Sequence, residues 1–566
     1  MSYSPPVEEQ KFLLRHVVGI DELASHAAFA EASPDVVDAI VAGAGEFAAG
    51  EFAPLNRIGD QVGAKWSADG VTMPTGFREA YRAYVEAGWG TLAGPVEFGG
   101  QGLPLSLANV VMEDLGSANM GFSLVMMLTP GAVEALRHHG SQPLKAQWLQ
   151  KLITGEWTGT MNLTEPQAGS DVGALKTRAE PKGDGSYLIS GQKIFITFGE
   201  HDLTDNIVHL VLARLPDAPN GTRGISLFLV PKILPDGRRN DLRCVSIEHK
   251  LGIHASPTCV MSYGDEGGAT GWLIGEENRG MAAMFTMMNN ARLNVGLQGV
   301  SIAERAMQQA VAFARERVQG ARDGRPAPII EHPDVRRMLL RMKALTQAAR
   351  ALAYYTACQT DLASLGNDAA KARADLLTPL VKAYGTDVGV EVTSLAVQVH
   401  GGMGYVEETG VAQHYRDARI SPIYEGTNGI QAADLVTRKL GLEGGDVLRR
   451  LLDDIESERG QEERLGNLAG ACRNAAEALI APPVEDRLAG SYPFLTMLAA
   501  AVSGWLMARQ EAALDGYQGD PAFVAMKRAA ARFYLDHIVA EVHGLYSAAT
   551  APAALLYSID AEAFAA

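Results

Sequence analysis

Hydrophobic and polar positions divide the chain into stretches of different periodicity. Residues 34–157 are rich in Ala, Leu, Met and Glu and predict a helical region. Its start is indicated by Ser33 followed by Pro34, since Ser is a favoured N-cap and Pro a favoured first helical residue. The pattern predicts further helices over 112–127 and 130–139.

Between residues 158 and 278 the helical period gives way to short apolar runs. The runs 187–196, 207–213, 225–230 and 242–247 are typical of strands, and segments rich in Gly, Pro, Asn and Asp separate them. Because turns rather than helices connect these runs, we expect an antiparallel barrel or sandwich and not βαβ units.

Helical periodicity returns after residue 279. Met307, Val311, Ala314 and Val318 fall on one face of a predicted long helix. Another helix is predicted to begin after His332. The fold class is therefore α+β with several domains. The predicted divisions are an N-terminal leader (1–33), a helical N-terminal domain (34–157), a central antiparallel β barrel or sandwich (158–278), a helical bundle (279–445) and an additional C-terminal helical domain (446–566).

Composition narrows the class of partners. The 566 residues carry a formal net charge of −17, which argues against nucleic acid as a partner because an acidic surface repels phosphate. The four cysteines are scattered, so we expect no disulfide framework or thiolate metal cluster, and a reducing compartment such as the cytoplasm. The longest apolar run, 493–508, falls short of the ~18 residues of a membrane span and predicts a core helix.

Four short segments are candidates for chemistry: 161–171 (MNLTEPQAGSD), 193–199 (KIFITFG), 398–405 (QVHGGMGY) and 423–429 (IYEGTNG). The first can present backbone N–H groups and hydroxyls in a loop, the second places an aromatic and a hydroxyl residue two apart on a strand, and the third permits close backbone approach. Taken singly, such segments are more often a turn, a core aromatic or a helix end.

Glu425 is a lone carboxylate among apolar and small residues, just before a helix predicted from about Asn428. An apolar pocket disfavours the charged form of a carboxylate, so its pKa rises toward neutrality, which suits a general base. Alone, such a residue is more often a charge at a helix N-terminus. His254, His332 and His400 each stand alone, none of them at i, i+4 spacing from another histidine, and we expect no bound metal.

Together and in this order, the four segments resemble the acyl-CoA dehydrogenase family over about residues 34–440. They are similar to its TEPxAGSD loop, its K-x-(W/F)-I-T strand, its Q-x-x-G-G-x-G-Y turn and its I-(Y/W)-E-G-(T/S) segment. The region after residue 446 resembles the extra domain of the long bacterial members.

The resemblance implies FAD held between the β domain and the helices that follow it, with part of the site supplied by a second subunit. A homo-oligomer is implied, and a dimer is favoured over a tetramer. The implied cofactor contacts are Met161, Leu163, Thr164, Gly169, Ser170, Phe195, Thr197, Arg317, Gln398, Gly401, Gly402, Thr427 and Asn428. The implied substrate contacts are Ser170, Asn289, Arg292, Tyr424 and Gly426.

The implied reaction is α,β-dehydrogenation of an acyl-CoA thioester to the trans-2-enoyl-CoA. Glu425 matches the family's base, which takes the α-proton while a hydride goes to the flavin and electrons pass to an electron-transfer flavoprotein. Some subgroups place the base instead on the helix that is expected to begin near Arg292, where residues 289–295 of this chain carry no carboxylate. Three alternatives stay open: an acyl-CoA oxidase using oxygen, a DNA-associated flavoprotein of the same fold, and a catalytically inactive relative.

Overall fold

The computed structural model describes residues 3–566. The first part of this chain is helical, apart from one short hairpin. The helices are α1 (Val7–Leu13), α2 (Ile20–Ala24), α3 (Pro34–Phe47), α4 (Ala53–Val62), α5 (Phe77–Glu86), α6 (Leu105–Ala118), α7 (Met120–His139) and α8 (Gln142–Ile153), and the hairpin is β1 (Lys65–Ser67) with β2 (Gly70–Thr72).

The predicted start of α3 is confirmed, because the Ser33 side chain accepts a hydrogen bond from the Val36 N–H. The predicted break between 127 and 130 is wrong. The helices separate instead at Asn119, whose side chain accepts from the Phe122 N–H at 3.1 Å and caps α7. Pro130 lies inside α7, where burial of the helix outweighs the lost backbone hydrogen bond.

The leader packs into the core and is not an appendage. Phe12 and Leu13 are buried, and Tyr3 and Gln10 donate to the same carboxylate oxygen of Asp114 at 2.6 and 2.8 Å. Burial and neighbouring charge raise the pKa of Asp114 to about 7. The leader therefore closes over the helical layer that follows it.

Eight strands form one central sheet in the order β3-β6-β7-β10-β5-β9-β8, with β4 paired to β5. Pure antiparallel pairing was expected, and this is wrong for one pair. Strands β3 and β6 run parallel because no hairpin joins them and the intervening chain crosses the sheet. The strands are β3 (Thr158–Asn162), β4 (Arg178–Pro181), β5 (Tyr187–Thr197), β6 (Ile207–Ala213), β7 (Ser226–Pro231), β8 (Leu242–Ile247), β9 (Thr258–Tyr263) and β10 (Ala269–Ile274).

A second helical layer follows the sheet. Its elements are α9 (Gly280–Glu316), a hairpin of β11 (Val318–Arg322) and β12 (Arg325–Pro328), α10 (Pro333–Ser364), α11 (Asp368–His400), α12 (Val411–Ala418) and α13 (Asn428–Asp434). Helix α9 ends before Val318, so the predicted helical stripe is wrong at that residue, which is 47% exposed in the hairpin. The helix also begins at Gly280 and not near Arg292.

Helices α9 and α11 pack at very short range. A Cβ at Gly299 would lie 2.0 Å from the Gly385 carbonyl oxygen, and a Cβ at Gly296 would lie 2.5 Å from the Val381 carbonyl oxygen. Only glycine allows two helix backbones to approach this closely. This contact places the residues of α11 directly against the middle of α9.

The C-terminal region is helical and packs on α10 and α11. Its helices are α14 (Asp446–Glu458), α15 (Glu463–Ile480), α16 (Val484–Ala513), α17 (Pro521–Phe533), α18 (Val539–His543), α19 (Tyr546–Ala549) and α20 (Ala554–Tyr557). Helix α16 is longer than the predicted apolar run and, by length and composition alone, could cross a membrane. However, 78% of its apolar window is buried within the protein, as expected of a core helix.

Candidate active site

Glu425 lies in a loop between α12 and α13 whose backbone is unusual. Its φ is +56°, and Gly426 follows at +83°. A left-handed backbone is unfavourable for a residue with a side chain, and such strain concentrates at functional sites. The loop is held by the Asn428 N–H, which donates to the Pro422 carbonyl at 2.9 Å, and by the Gln431 amide, which donates to the Gly426 carbonyl at 3.2 Å.

The surroundings of Glu425 set its charge. Burial raises the pKa of its carboxyl to about 7, although Lys382 and Arg292 both act to lower it. The raised pKa was the behaviour expected from the sequence. Burial in turn lowers the pKa of Lys382 to about 7, while the carboxylate of Glu425 acts to raise it. The loop therefore holds a carboxyl group that exchanges protons near neutral pH.

Arg292 on α9 faces the same loop. Its side chain is only 4% exposed, and its guanidinium lies 3.6 Å from the buried carboxylate of Asp434 on α13. A Cβ at Gly426 would lie 2.7 Å from Gln431 Nε2, so glycine leaves the Gln431 amide room beside the loop. Tyr424 donates its hydroxyl hydrogen to Gln298 Oε1 at 2.5 Å, which ties the loop to α9 a second time.

The sheet supplies a second group of candidate residues. The segment after β3 is tied to β5 by the Ile194 N–H, which donates to the Thr164 carbonyl at 2.9 Å, and by Lys193 Nζ, which donates to the Leu163 carbonyl at 3.0 Å. Lys193 also pairs with Glu165 at 2.8 Å, and both side chains are buried. This pair joins the first two sequence segments into one surface.

Glu165 is saturated with hydrogen bonds. Besides Lys193, it accepts from the Thr177 N–H and hydroxyl at 3.0 and 2.6 Å, from the Lys176 N–H at 2.6 Å and from Gln167 at 2.6 Å. Although burial would raise its pKa, Lys193 and these donors bring the pKa of Glu165 down to about 2. The carboxylate thus anchors the loop and is not a candidate base.

Phe195 lies at a bulge in β5. Lys193 pairs with Met261 and Ile196 pairs with Cys259, so the regular alternation predicted for this strand is interrupted. Phe195 has a φ of +59° and is 58% exposed, which is unusual for a large apolar ring. Thr197 is half-buried two residues later. An apolar ring beside a hydroxyl suits the stacking and edge contacts of a planar ligand.

Other predicted cofactor residues lie at the far end of the bundle. Arg317 is exposed and directly follows α9. It lies about 38 Å along the helix axis from Arg292, at ~1.5 Å per residue. Gln398 is exposed in the last turn of α11. The two helix ends adjoin because Phe313 and His400 stack with their ring centroids 4.3 Å apart. One subunit therefore places these residues together but far from Glu425.

The remaining predicted contacts fall into the same two groups. Thr427 caps α13 and Asn428 begins it, Met161 is buried in β3, Gly169 and Ser170 are exposed on the loop after β3, Asn289 is half-buried on α9, and Gly401 and Gly402 are exposed after α11. A Cβ at any of these three open glycines, Gly169, Gly401 or Gly402, would meet nothing within 4 Å. The exposed ring of Phe195 and these bare backbones fit a large, flat, phosphate-bearing cofactor such as FAD.

Sequence reasoning missed several residues that shape the site. Lys382, Gln298 and Asp434 are not among the residues predicted from the sequence, and Glu165 and Lys193 lie in two of the predicted segments without a predicted role. A charged residue within the apolar run Leu380-Val381-Lys382-Ala383 was the available signal, since a lysine on a buried helix face needs a partner. Among the described residues, no group of three or more His, Cys, Asp or Glu side chains is arranged to hold a metal ion.

Family models match the chain in four successive blocks. These are the acyl-CoA dehydrogenase N-terminal domain (36–156), middle domain (160–265) and C-terminal domain (278–440), followed by an acetyl-CoA dehydrogenase C-terminal-like domain (456–560). The chain is 46% identical to 3-methylmercaptopropionyl-CoA dehydrogenase of Ruegeria pomeroyi over 97% of this chain and 98% of that protein. The chain belongs to the acyl-CoA dehydrogenase family.

Solved structures agree with this assignment. The fold matches FAD-bound acyl-CoA dehydrogenase from Bacillus anthracis with a TM-score of 0.76 at 21% identity, over 95% of this chain and 91% of that one. It also matches a chain from work on the electron transferring flavoprotein of Acidaminococcus fermentans, with a TM-score of 0.60 at 28% identity, over 72% of this chain and 98% of that one. This acyl-CoA dehydrogenase is therefore an oxidoreductase and a flavoprotein that uses FAD.

Proposed function

We propose that this enzyme removes the α-proton and β-hydride of an acyl-CoA thioester, giving the trans-2-enoyl-CoA, with Glu425 as the base. The observation that carries this proposal is a half-buried carboxylate on a strained backbone, whose pKa is raised to about 7 by desolvation. A base of that pKa is half ionised at neutral pH and accepts a proton efficiently. When bound, FAD supplies the acceptor for the hydride that leaves the β-carbon.

The chain's own residues would bind and orient the reactants. Phe195 and Thr197 would contact the flavin ring and its edge, with Met161, Leu163, Thr164, Gly169 and Ser170 along the same loop and strand. On the side of the substrate away from the flavin, Tyr424 and Gly426 would place the thioester beside Glu425. The residues that would line the path of CoA are Arg292, Asn289 and Ser170. Thr427 and Asn428 would keep the loop that carries Glu425 (residues 419–427, the base loop) against the cofactor. The α-proton passes to a carboxylate oxygen of Glu425, which becomes neutral.

We further propose a homodimer in the cytoplasm. Arg317, Gln398, Gly401 and Gly402 lie far from Glu425 of their own subunit, which supports their binding the pyrophosphate and adenine of a partner's cofactor. Tyr405, beside this turn, is 90% exposed and offers apolar surface to a second copy. Electrons would leave to an electron-transfer flavoprotein, and the structural likeness to a chain studied with such a protein supports this partner.

The test is anaerobic bleaching of the bound flavin by acyl-CoA esters of increasing length, with 3-methylmercaptopropionyl-CoA included because of the 46% identical relative. We expect bleaching by the wild type and a loss of more than ~10⁴-fold in Glu425→Gln, which exceeds the usual effect of a base because no second base is present in the loop. Full activity in that variant would refute the assignment.

The matched control is Glu443→Gln. Glu443 also has a left-handed backbone, with φ +49°, but it is exposed and pairs with Arg450. We expect this variant to bleach like the wild type. Rapid reoxidation by oxygen without an electron-transfer flavoprotein would indicate an acyl-CoA oxidase instead. Duplex DNA binding at moderate salt would support the DNA-associated alternative.

A further inference from the structure

Lys382 is a fully buried lysine on α11 that faces the base loop. Its side chain is 0% exposed, and Nζ donates to Asn428 Oδ1 at 2.8 Å. It reaches this position because the glycine contacts between α9 and α11 bring the two helices together beside it. Burying an ammonium group is costly unless a charge or an acceptor compensates for it. Asn428 supplies the acceptor, and Glu425 supplies the charge.

Asn428 is itself held from the C-terminal helical region. Its amide nitrogen donates to Asp387 Oδ1 at 2.9 Å, and the other oxygen of Asp387 accepts from the Tyr492 hydroxyl at 2.6 Å. The same amide nitrogen also donates to Thr386 Oγ1 at 3.0 Å, which leaves the amide oxygen turned to Lys382. Tyr492 lies on α16, so the chain of contacts runs from the additional helices to the base loop.

We propose that Lys382 is a positioning residue that holds Glu425 as the carboxylate, and that Tyr492 of the C-terminal helical region, through Asp387 and Asn428, fixes Lys382 in place for this task. The inference rests on the function proposed above. Lys382 does not take up the α-proton, which goes to Glu425. It acts only through the charge that it presents to the base.

The groups that face this pair come from three helices and the loop. Lys382 on α11 and Arg292 on α9 both face Glu425. Asp387 is faced by Lys382, by Tyr492 on α16 and by Arg419. Lys382 lowers the pKa of Glu425, and Glu425 raises the pKa of Lys382. Loss of the ammonium removes one of the two charges that lower the pKa of the base, so Glu425 becomes protonated at higher pH.

The test compares holoenzymes by the pH profile of kcat/KM with butyryl-CoA and a dye acceptor. We expect Lys382→Met to move the acidic limb upward by about one pH unit, with bound flavin unchanged in its absorbance. Tyr492→Phe should move the acidic limb in the same direction by a smaller amount. This variant keeps Lys382 but loses the hydrogen bond from Tyr492 to Asp387 that helps to hold it. Tyr557→Phe, a tyrosine that is 74% exposed, is the control and should leave the profile in place.

An acidic limb that stays in place in Lys382→Met, or a loss of rate by the same factor at every pH, would overturn the inference, since packing damage alone has no preferred pH. If Lys382→Met does not retain flavin, Tyr492→Phe decides: an upward shift supports the inference, and an unshifted profile overturns it.

Wild type and Glu425→Gln are measured alongside. A wild type that is inactive toward every acyl-CoA ester of the panel described above, or a fully active Glu425→Gln, refutes the proposed function and the inference with it. An active wild type with an inactive Glu425→Gln and no shift refutes the inference alone.

Discussion

The buried pair of Glu165 and Lys193 should account for much of the stability of the loop that follows β3. Lys193 is 0% exposed and Glu165 is 3% exposed, and their charged atoms are 2.8 Å apart. The substitution Glu165→Gln keeps the shape of the side chain and removes its charge. The buried ammonium of Lys193 is then left without its counter-charge.

The magnitude follows from the pKa of Glu165, which falls from 4.5 to about 2 in the folded protein. A shift of this size corresponds to about 3 kcal/mol of stability at neutral pH. That contribution is present above about pH 4.5, where the unfolded carboxyl is ionised, and is lost as the pH falls toward 2. We therefore expect Glu165→Gln to lower the free energy of unfolding of the sheet by about 3 kcal/mol at pH 7.

The assay is thermal and urea unfolding, together with flavin retention, in Glu165→Gln, Lys193→Met and the double variant. Two buried uncharged side chains are less destabilising than one buried unpaired charge. The double variant should therefore lose much less free energy of unfolding than the sum of the two single variants. Glu180→Gln, at an exposed position on the neighbouring strand β4, is the control and should change stability by less than ~0.5 kcal/mol. A loss below ~1 kcal/mol in Glu165→Gln, or additive losses in the double variant, would refute this reasoning.

Three further outcomes are expected. First, kcat/KM should fall about tenfold per pH unit below about pH 7, because the raised pKa of Glu425 leaves the base protonated there; a flat profile from pH 5 to 8 would contradict this. Second, Phe195→Ala should weaken flavin affinity about tenfold in a fluorescence titration, since an aromatic contact contributes ~0.5–1.5 kcal/mol beyond its area, whereas Phe564→Ala, 77% exposed, should not; equal affinities would exclude ring stacking. Third, Arg350→Met should lower the free energy of unfolding in urea by ~3–5 kcal/mol, because Arg350 is fully buried between the carboxylates of Glu113 and Glu304. The control Arg279→Met, at an exposed residue, should lower it by less than ~0.5 kcal/mol. Similar losses in the two variants would count against a stabilising role for the buried Arg350 pairs.

Much of the architecture was readable from local pattern. The start of α3 at Ser33 and Pro34, the strand over 242–247 and the helix after Thr427 all lie where the sequence predicted them. Each of these signals is local, since a cap, a turn or an alternating run acts through neighbouring residues. The order of the four segments predicted the family, because the joint spacing is far more specific than any single segment. The raised pKa of Glu425 was also expected from the apolar residues beside it.

Contacts between distant elements could not be predicted. Helix α7 continues through Pro130 because its neighbours bury it, and β3 joins the sheet in parallel because of the path of the later chain. Lys382 reaches the base loop because glycines let α9 and α11 approach. The periodicity of hydrophobic residues indicates which face of a helix or strand is buried. It does not indicate which charged groups from other elements lie against that face. The sequence therefore identified the candidate base, Glu425, whereas tertiary packing decided which charged groups surround it.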